Sequence, residues 1–414
     1  MSTTPTTTDR QARRAVAALF LTNGAVLANL VPRYPEIKDD LGMSNAVYGL
    51  AVIAFPVGAI IAGLGAAPLI RRFGSAPVAV AGTVGTALGV LGAGASPTLL
   101  LFVAALFLGG AMDAVTDVAQ NDHGLRVQRR YGRTIINSFH AVWSLGAVLG
   151  GAMAAAAIAV DLPLPVHLGI SAAVFSLVAV TASRYCLPVS DDGPGAAPTV
   201  AEDAAATPAT SAASGAPAAS GHSRRAPLSG RVVAVLAALV VIAVAGSLVE
   251  DAGMSWASLY ITSLGAPGSV AATGFVALVA AQFVGRILGD GMVDRMGQRT
   301  VARLGGTVAA VGMGLALAFP TVPGTVVGFA AAGFGVATLI PAAMQAASEL
   351  PGLRPGTGLT VVSWVMRIGF LCSPPLVGMV ADATSLRVGL LVIPLAGVAT
   401  VVLAGVLHGR RTAA

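Results

Sequence analysis

The chain has 414 residues, 56% of them hydrophobic and 10% charged, with a mean hydropathy of +0.83. A water-soluble domain carries about 25% charged residues, so the composition excludes one and points to a membrane-embedded chain. The net charge of +6 does not signal nucleic acid, because the basic residues sit singly or in pairs between apolar segments and form no patch. The two cysteines, Cys186 and Cys372, lie far apart in apolar segments and imply no disulfide framework.

A bilayer core of about 30 Å requires about 20 apolar residues per helix. Runs of that kind predict spans at 15–32, 46–70, 76–95, 98–121, 134–159 and 166–187. A second set is predicted at 231–255, 269–288, 300–319, 324–346, 357–381 and 388–407, the seventh continuing, with a break, to about Thr262. Arg10, Arg13 and Arg14 precede the first run as they would in a signal peptide, but no small-residue cleavage site follows, so an uncleaved helix is expected. The expected divisions are a tail at 1–14, one six-helix bundle at 15–187, a second at 231–408 and a tail at 409–414. Between the bundles, 188–230 is rich in Ala, Pro, Ser, Thr and Gly and has no periodic apolar face, the composition of a disordered linker.

With the N-terminus inside, 20 of the 24 Lys and Arg residues fall on the cytoplasmic side. Arg33, Lys38 and Arg387 fall outside, and Arg367 falls within a span. This asymmetry predicts an even number of spans, both termini cytoplasmic and a cell (inner) membrane location.

Sliding the chain against itself by 223 residues aligns Leu41-Gly42 with Leu264-Gly265 and Arg72-Phe73-Gly74 with Arg295-Met296-Gly297. The same shift aligns Gly82 with Gly305, Gly110 with Gly333, Val142 with Val365 and Gly146 with Gly369. A single offset from the first helix pair to the fifth marks two parallel copies of one unit. Two parallel six-helix repeats about an axis along the membrane normal are the architecture of the major facilitator superfamily, which the chain resembles. That superfamily carries Gly and then Asp-Arg-x-Gly after its second helix. The first copy here, Arg71-Arg72-Phe73-Gly74, lacks the acid; the second, Asp290 to Gly297, keeps Asp294-Arg295-x-Gly297. These residues read either as a gating loop or as a tight basic turn.

Ionisable groups inside a span are costly and are candidates for function. Asp113 and Asp117 fall in the fourth span, with Asn121 continuing their i, i+4 stripe, and Glu250 and Asp251 fall in the seventh. In the resembled architecture the first, fourth, seventh and tenth helices line the central cavity, which implies that these acids face each other from opposite halves. Low dielectric disfavours the charged carboxyl, as a proton carrier requires. Asp117 is the first candidate for proton coupling, then Glu250, with Asp113 as coupling group or helix-to-helix hydrogen-bonder. His140 stands as far after the 122–133 hairpin as Asp117 stands before it, so either the two pair or His140 is structural. Arg367 lies about 15 Å deep at about 1.5 Å per residue and is expected to meet an internal acid, an anionic substrate group or lipid. Trp143, Trp256 and Trp364 are either interfacial anchors or stacking surfaces for a substrate, and Asn23 and Asn29 are polar candidates for the cavity.

The stretches Gly110-x-x-Asp113-x-x-x-Asp117-x-x-x-Asn121, Arg129-Arg130-x-Gly132-Arg133 and Ser138-Phe139-His140-x-x-x-Ser144-x-Gly146 resemble the fucose-permease-like group of that superfamily. So do Pro32-Arg33-x-Pro35-x-Ile37, Glu250-x-x-x-x-x-Trp256, Gly285-Arg286-x-x-Gly289-Asp290 and Pro374-Pro375-Leu376-x-Gly378. The resemblance implies that Asp117, four residues before Asn121, takes part in proton-coupled symport. Fucose permeases also use an acid on the first helix, where this chain has Ala28-Asn29. The expected function is secondary active transport of a small polar solute in a lipid bilayer, without cofactor, metal or nucleic acid. An exporter of drug-like metabolites and a membrane receptor or scaffold are the alternatives; no nucleophile–base or metal-ligand set points to an enzyme.

Overall fold

The computed structural model describes residues 6–132, 134–188, 230–353 and 356–407. The 188–230 stretch, apart from its two ends, and the 409–414 tail lie outside the described residues. Twelve helical spans in the described residues are long and apolar enough to cross a membrane. They fold as two six-helix bundles.

The first span is α1 (Thr7–Ala28), followed by a 3-10 turn (Val31–Arg33) and α2 (Tyr34–Asp40). The helix starts ahead of the apolar run because Thr6 and Asp9 cap it reciprocally, Thr6 Oγ1 accepting from the Asp9 N–H at 3.1 Å. The predicted tail is therefore partly helix. Arg130, 2.8 Å from Asp9, ties that start to the end of the fourth span.

The second span is divided into α3 (Asn45–Val52), α4 (Ala54–Gly63) and α5 (Ala66–Phe73). Pro56 has no N–H for the Val52 carbonyl, and the division falls there. The same cause divides the tenth span, α13 (Val322–Val336) and α14 (Leu339–Ser348), before Pro341, and the twelfth, α16 (Leu386–Gly389) and α17 (Val392–Leu403), before Pro394. The undivided spans of the first half are α6 (Ser75–Gly94), α7 (Leu99–Tyr131), α8 (Ile136–Ala159) and α9 (Leu164–Ser183). Those of the second half are α10 (Gly230–Ser263), α11 (Gly268–Met296), α12 (Gln298–Ala318) and α15 (Thr357–Ala383).

Three helices run past their predicted ends. α7 reaches Tyr131 because its extra turns are buried: His123 accepts the Leu187 N–H at 3.1 Å and lies 3.0 Å from Ser75 Oγ. α10 is continuous to Ser263, without the expected break. α11 reaches Met296, so Asp290, Asp294 and Arg295 are helical and only Gly297 turns the chain.

The 223-residue register is visible in the packing. Gly74 and Gly297 both turn the chain with positive φ, 84° and 80°, as do Gly42 and Gly265, at 59° and 83°; only glycine adopts this conformation without strain. Gly110 packs on the Phe55 carbonyl and Gly333 on that of Leu278, and Phe55 and Leu278 are themselves 223 apart. Gly82 abuts the Met112 carbonyl and Gly305 that of Gly335, again in register. Gly146 abuts the Leu21 carbonyl, and Gly369 the Val244 carbonyl. Gly110, Gly333, Gly305 and Gly146 let two backbones approach where a side chain would collide, while Gly369 packs on the Val244 carbonyl at ordinary contact distance.

The halves meet through α3 against α15 and α8 against α11, with α2 and the Val31–Arg33 turn reaching α10. The close approaches cluster at one end. Gly49 packs on the Pro374 carbonyl, Gly378 on that of Asn45 and Gly151 on the Phe275 ring. Tyr48 donates to the Ser255 carbonyl at 2.7 Å, and its ring stands edge-on to Trp256 at 4.9 Å. That end, near the 29–44 and 264–267 connections, is closed. Farther along the same faces the side chains are accessible, Arg286 at 38% and Trp364 at 52%, so the seam opens toward the turns at Gly74 and Gly297.

Gly110→Val and Gly333→Val should each destabilise the protein by about 1–3 kcal/mol, the cost of overpacking, and by similar amounts because the sites are equivalent. Gly169→Ala, with nothing within 4 Å of the added carbon, should be neutral. Thermal unfolding in detergent followed by size exclusion reads the difference; a large gap between the two valine variants contradicts the equivalence.

Candidate functional site

A hydrogen-bonded network of neutral amides surrounds the two acids of α7. Asn23 on α1 donates from Nδ2 to Asp113 Oδ1 at 2.8 Å. Its Oδ1 accepts from Trp143 Nε1 on α8 at 2.8 Å and from Gln120 Nε2 at 3.3 Å. Gln120 also reaches Asp117 Oδ1 at 3.3 Å, and Asn121 donates to the same oxygen at 3.1 Å and to the Asp117 carbonyl at 2.9 Å. Polar side chains from three helices thus converge on two carboxyls with no cation hydrogen-bonded to either among the described residues. Asn23, Asn121, Trp143 and both acids were legible from the sequence. Gln120, fully buried, was missed; its signal was the i, i+3 spacing from Asp117.

Across the seam, Glu250 on α10 faces Arg286 on α11, with Oε1 to Nη2 at 3.6 Å. From the sequence, Arg286 reads only as a topology charge. With Trp143, Ser144, Gln282 and Met254, this pair lines a small recess between the halves. Gln282 and Ser144 are each 5% exposed and Arg286 38%, so the recess has a buried floor and an accessible edge. His140 and Ser144 share the α8 face that carries Gly151, and Gln282 and Arg286 share the α11 face that carries Phe275.

Several expected placements differ. His140 does not pair with Asp117: no hydrogen bond joins them among the described residues, and the imidazole stands edge-on to Phe20 at 5.3 Å. The Asp117 carboxyl turns instead to the amides of its own helix. Asn29 is fully buried at the end of α1, donating to the Ala25 carbonyl at 2.8 Å and lying 2.9 Å from His167 Nε2; it braces the first bundle and does not line the recess. Trp256 is fully buried in the closed end, against Tyr48. Arg367 has no acid partner among the described residues; its guanidinium lies 5.4 Å from the centre of the Trp364 ring, one turn away. Helical periodicity puts both on the α15 face that carries Gly378, which is the seam face. Asp290, Asp294, Arg295 and Arg72 lie at the open end beside the buried turn glycines Gly74 and Gly297. Asp251 is beside Glu250, its buried Oδ2 without a hydrogen-bond partner among the described residues.

The model of the Major Facilitator Superfamily matches residues 16–290 and 252–413. The chain belongs to that superfamily. It is 30% identical over 400 residues to the uncharacterised transporter y4wD of Sinorhizobium fredii, covering 95% of this chain and 97% of that one. Among solved structures it is similar to a bacterial homologue of the human lysosomal transporter Spinster in an inward-facing, occupied conformation. That match has a TM-score of 0.69, 13% identity and 95% of each chain covered. It is also similar to the E. coli fucose:proton symporter, with a TM-score of 0.55, 16% identity, and 95% and 97% covered. The expected fold, twelve spans in two six-helix bundles, is borne out.

This major facilitator transporter holds its closed end with one acid that does not stand out in the sequence. Asp382, at the end of α15, accepts from the Asn45 N–H at 3.0 Å, the Ala46 N–H at 2.8 Å and Asn45 Nδ2 at 2.9 Å. A carboxylate from one half therefore caps the first turn of α3 in the other, where the helix dipole favours negative charge. The equivalent junction, Gly268 against Ile158, has no such acid among the described residues. In a cysteine-free background, spin labels at Asp39 and Thr384 sit on opposite halves of the closed end. Asp382→Ala should lengthen and broaden their distance distribution; an unchanged distribution removes Asp382 from the closure.

Proposed function

We propose that the protein is a proton-coupled secondary transporter of a small polar solute, working by alternating access of its two bundles. The observation that carries this reading is the Asn23–Asp113 hydrogen bond, with Asp117 one turn on, beside a recess between the halves. Carboxyls held by neutral amides keep a choice of protonation state that a carboxylate locked against a guanidinium loses. Asp117 is the first coupling group and Asp113 its partner. The Glu250–Arg286 pair and Gln282 face the solute, with Asn121, Trp364 and Arg367 as further contacts along the seam.

The arginine census assigns the open end to the cytoplasm and the span-bearing body to the inner membrane of a bacterial cell. The conformation is then inward-facing, the state in which the Spinster homologue was solved. The turns at Gly74 and Gly297, with Arg72, Asp290, Asp294 and Arg295, stand where the open end must close in the opposite state, and we assign them to that closure. A proton that neutralises Asp117 from the outward side lowers the cost of moving the carboxyl through the occluded state, and its release inside resets the carrier. The solute itself passes without covalent change.

Purified protein in liposomes, given a panel of labelled polar solutes and an inward proton gradient, tests the reading. Accumulation above equilibrium should occur for at least one solute class and collapse to passive equilibration in Asp117→Asn, while solute-for-solute exchange survives. Accumulation that persists unchanged in Asp117→Asn would contradict the coupling role.

A further inference from the structure

Trp143 occupies two sites at once. Its indole ring helps form the wall of the recess between the halves, beside Glu250, Gln282 and Arg286, and its N–H reaches the amide that holds Asp113. An indole N–H can only donate. The Asn23 atom 2.8 Å from it must therefore be the oxygen, a choice that diffraction alone often leaves to hydrogen-bond logic. The Gln120 N–H on the same oxygen agrees. With the oxygen fixed on that side, the Asn23 NH2 is fixed on the other, aimed at Asp113 Oδ1. That carboxyl oxygen must be an acceptor. A proton arriving from water is then favoured on Oδ2, because a lone pair of Oδ1 is already committed to the Asn23 N–H, giving a carboxylic acid whose Oδ1 stays the carbonyl oxygen.

We propose that Trp143 is the residue that couples the recess to the proton site. While its N–H holds Asn23, Asp113 is confined to one protonation geometry. A solute pressed on the ring turns the indole away and leaves only the longer Gln120 donor on Asn23 Oδ1, at 3.3 Å. With Gln120 turned to Asp117 the Asn23 amide can reverse, and Asp113 Oδ1 can then carry a proton donated to Asn23 Oδ1. Trp143 acts through Asn23 and is a positioning residue. This inference rests on the proton-coupling reading above.

The charged and titratable neighbours of Asp113 are few. On its own helix Asp117 is one turn away and Asp122 and His123 are beyond it; α8 brings His140, and α11 brings Arg286 to His140. α1 carries Asp9, Arg10, Arg13 and Arg14 toward its start, more than about two turns from Asn23. α6 carries no titratable side chain, α3 and α4 carry only Tyr48 at the closed end, and α5 places Arg71 and Arg72 at the open end. No cation among these is hydrogen-bonded to Asn23, and its orientation is set by two N–H donors, Trp143 at 2.8 Å and Gln120 at 3.3 Å.

The test needs no identified solute, because the probe is the proton. Full-length protein in liposomes is titrated with pH while infrared difference spectra follow the carboxyl C=O stretch and emission follows tryptophan. Asp113→Asn identifies the Asp113 band by its loss. Trp143→Phe keeps an aromatic ring and removes the N–H; in it the Asp113 band should shift in frequency and in the pH interval of its appearance. With Trp256 and Trp364 replaced by phenylalanine, so that emission reports Trp143 alone, emission should change across the same interval as the band, and that change should vanish when Asp113→Asn is added. A band identical in Trp143→Phe and wild type, or an emission change that survives Asp113→Asn, overturns the proposal. The comparison with and without Asp113→Asn stands even where Trp143→Phe fails to fold. Loss of this link with proton-driven accumulation intact removes only the role of Trp143. A persisting link in a protein whose transport ignores Asp117→Asn overturns the coupling reading instead.

Discussion

Lipid supplies no hydrogen-bond partner and no counter-charge, so every polar group inside the spans must find one within the protein or at a wet seam. This constraint accounts for both halves of the architecture. The backbone is satisfied by helices, and the helices are held close by glycines seated on neighbouring carbonyls, as Gly110 is on Phe55 and Gly333 on Leu278. The few charges deep in the spans therefore meet partners from the protein: Asp113 and Asp117 meet amides of the first bundle, Glu250 meets Arg286 at a recess between the bundles, and Arg367 meets the face of Trp364.

Repetition then gives the seam its mechanics. Two copies of one unit present near-equivalent faces, α3 with α15 and α8 with α11, the arrangement on which the proposed alternating access rests. The copies have diverged where asymmetry is useful. The amides around the acids belong to the first half and the Glu250–Arg286 pair to the second. The Asp382 cap reinforces one crossing and has no counterpart at the other among the described residues. Aromatic packing of Tyr34, Tyr48 and Trp256 plugs the closed end. A substrate-facing role for Trp256, one of the two open in the sequence, gives way here to a plug because Tyr48 from the opposite half covers its ring.

The fold was legible because its determinants are local and periodic. Apolar length sets the spans, and the glycine register survives because those glycines either pack on a neighbouring helix or turn the chain with positive φ. Helix ends were less legible: α7 continues past the apolar run on a face buried by tertiary contact, which hydropathy does not register, and α11 runs on through an exposed charged stretch to the turn at Gly297. The acids of the site were found because lipid makes them conspicuous. Their partners were harder, since Gln120 is neutral and Arg286 carries the same charge as residues that only set topology. Of the two readings open for His140, pairing with Asp117 gives way to a structural contact, because sequence distance from a hairpin fixes depth but not the side of the helix, and Phe20 stands edge-on to its ring.

The central claim is that these charges line a water-filled seam, open at the end of the Gly74 and Gly297 turns and sealed at the other. Single cysteines at Arg286 and Trp364, the seam side chains accessible at 38% and 52%, in a background with Cys186 and Cys372 replaced by serine, can be labelled with a membrane-impermeant maleimide in vesicles of either orientation. Leu177, 67% exposed on α9, supplies the lipid-facing control. Labelling of both seam positions from the open end, with none from the closed end and none at Leu177, is the predicted result. Seam cysteines that stay unlabelled from both sides, or that react no faster than Leu177, would show the faces bearing Asp113, Asp117 and Glu250 to be sealed or turned to lipid, and would contradict it.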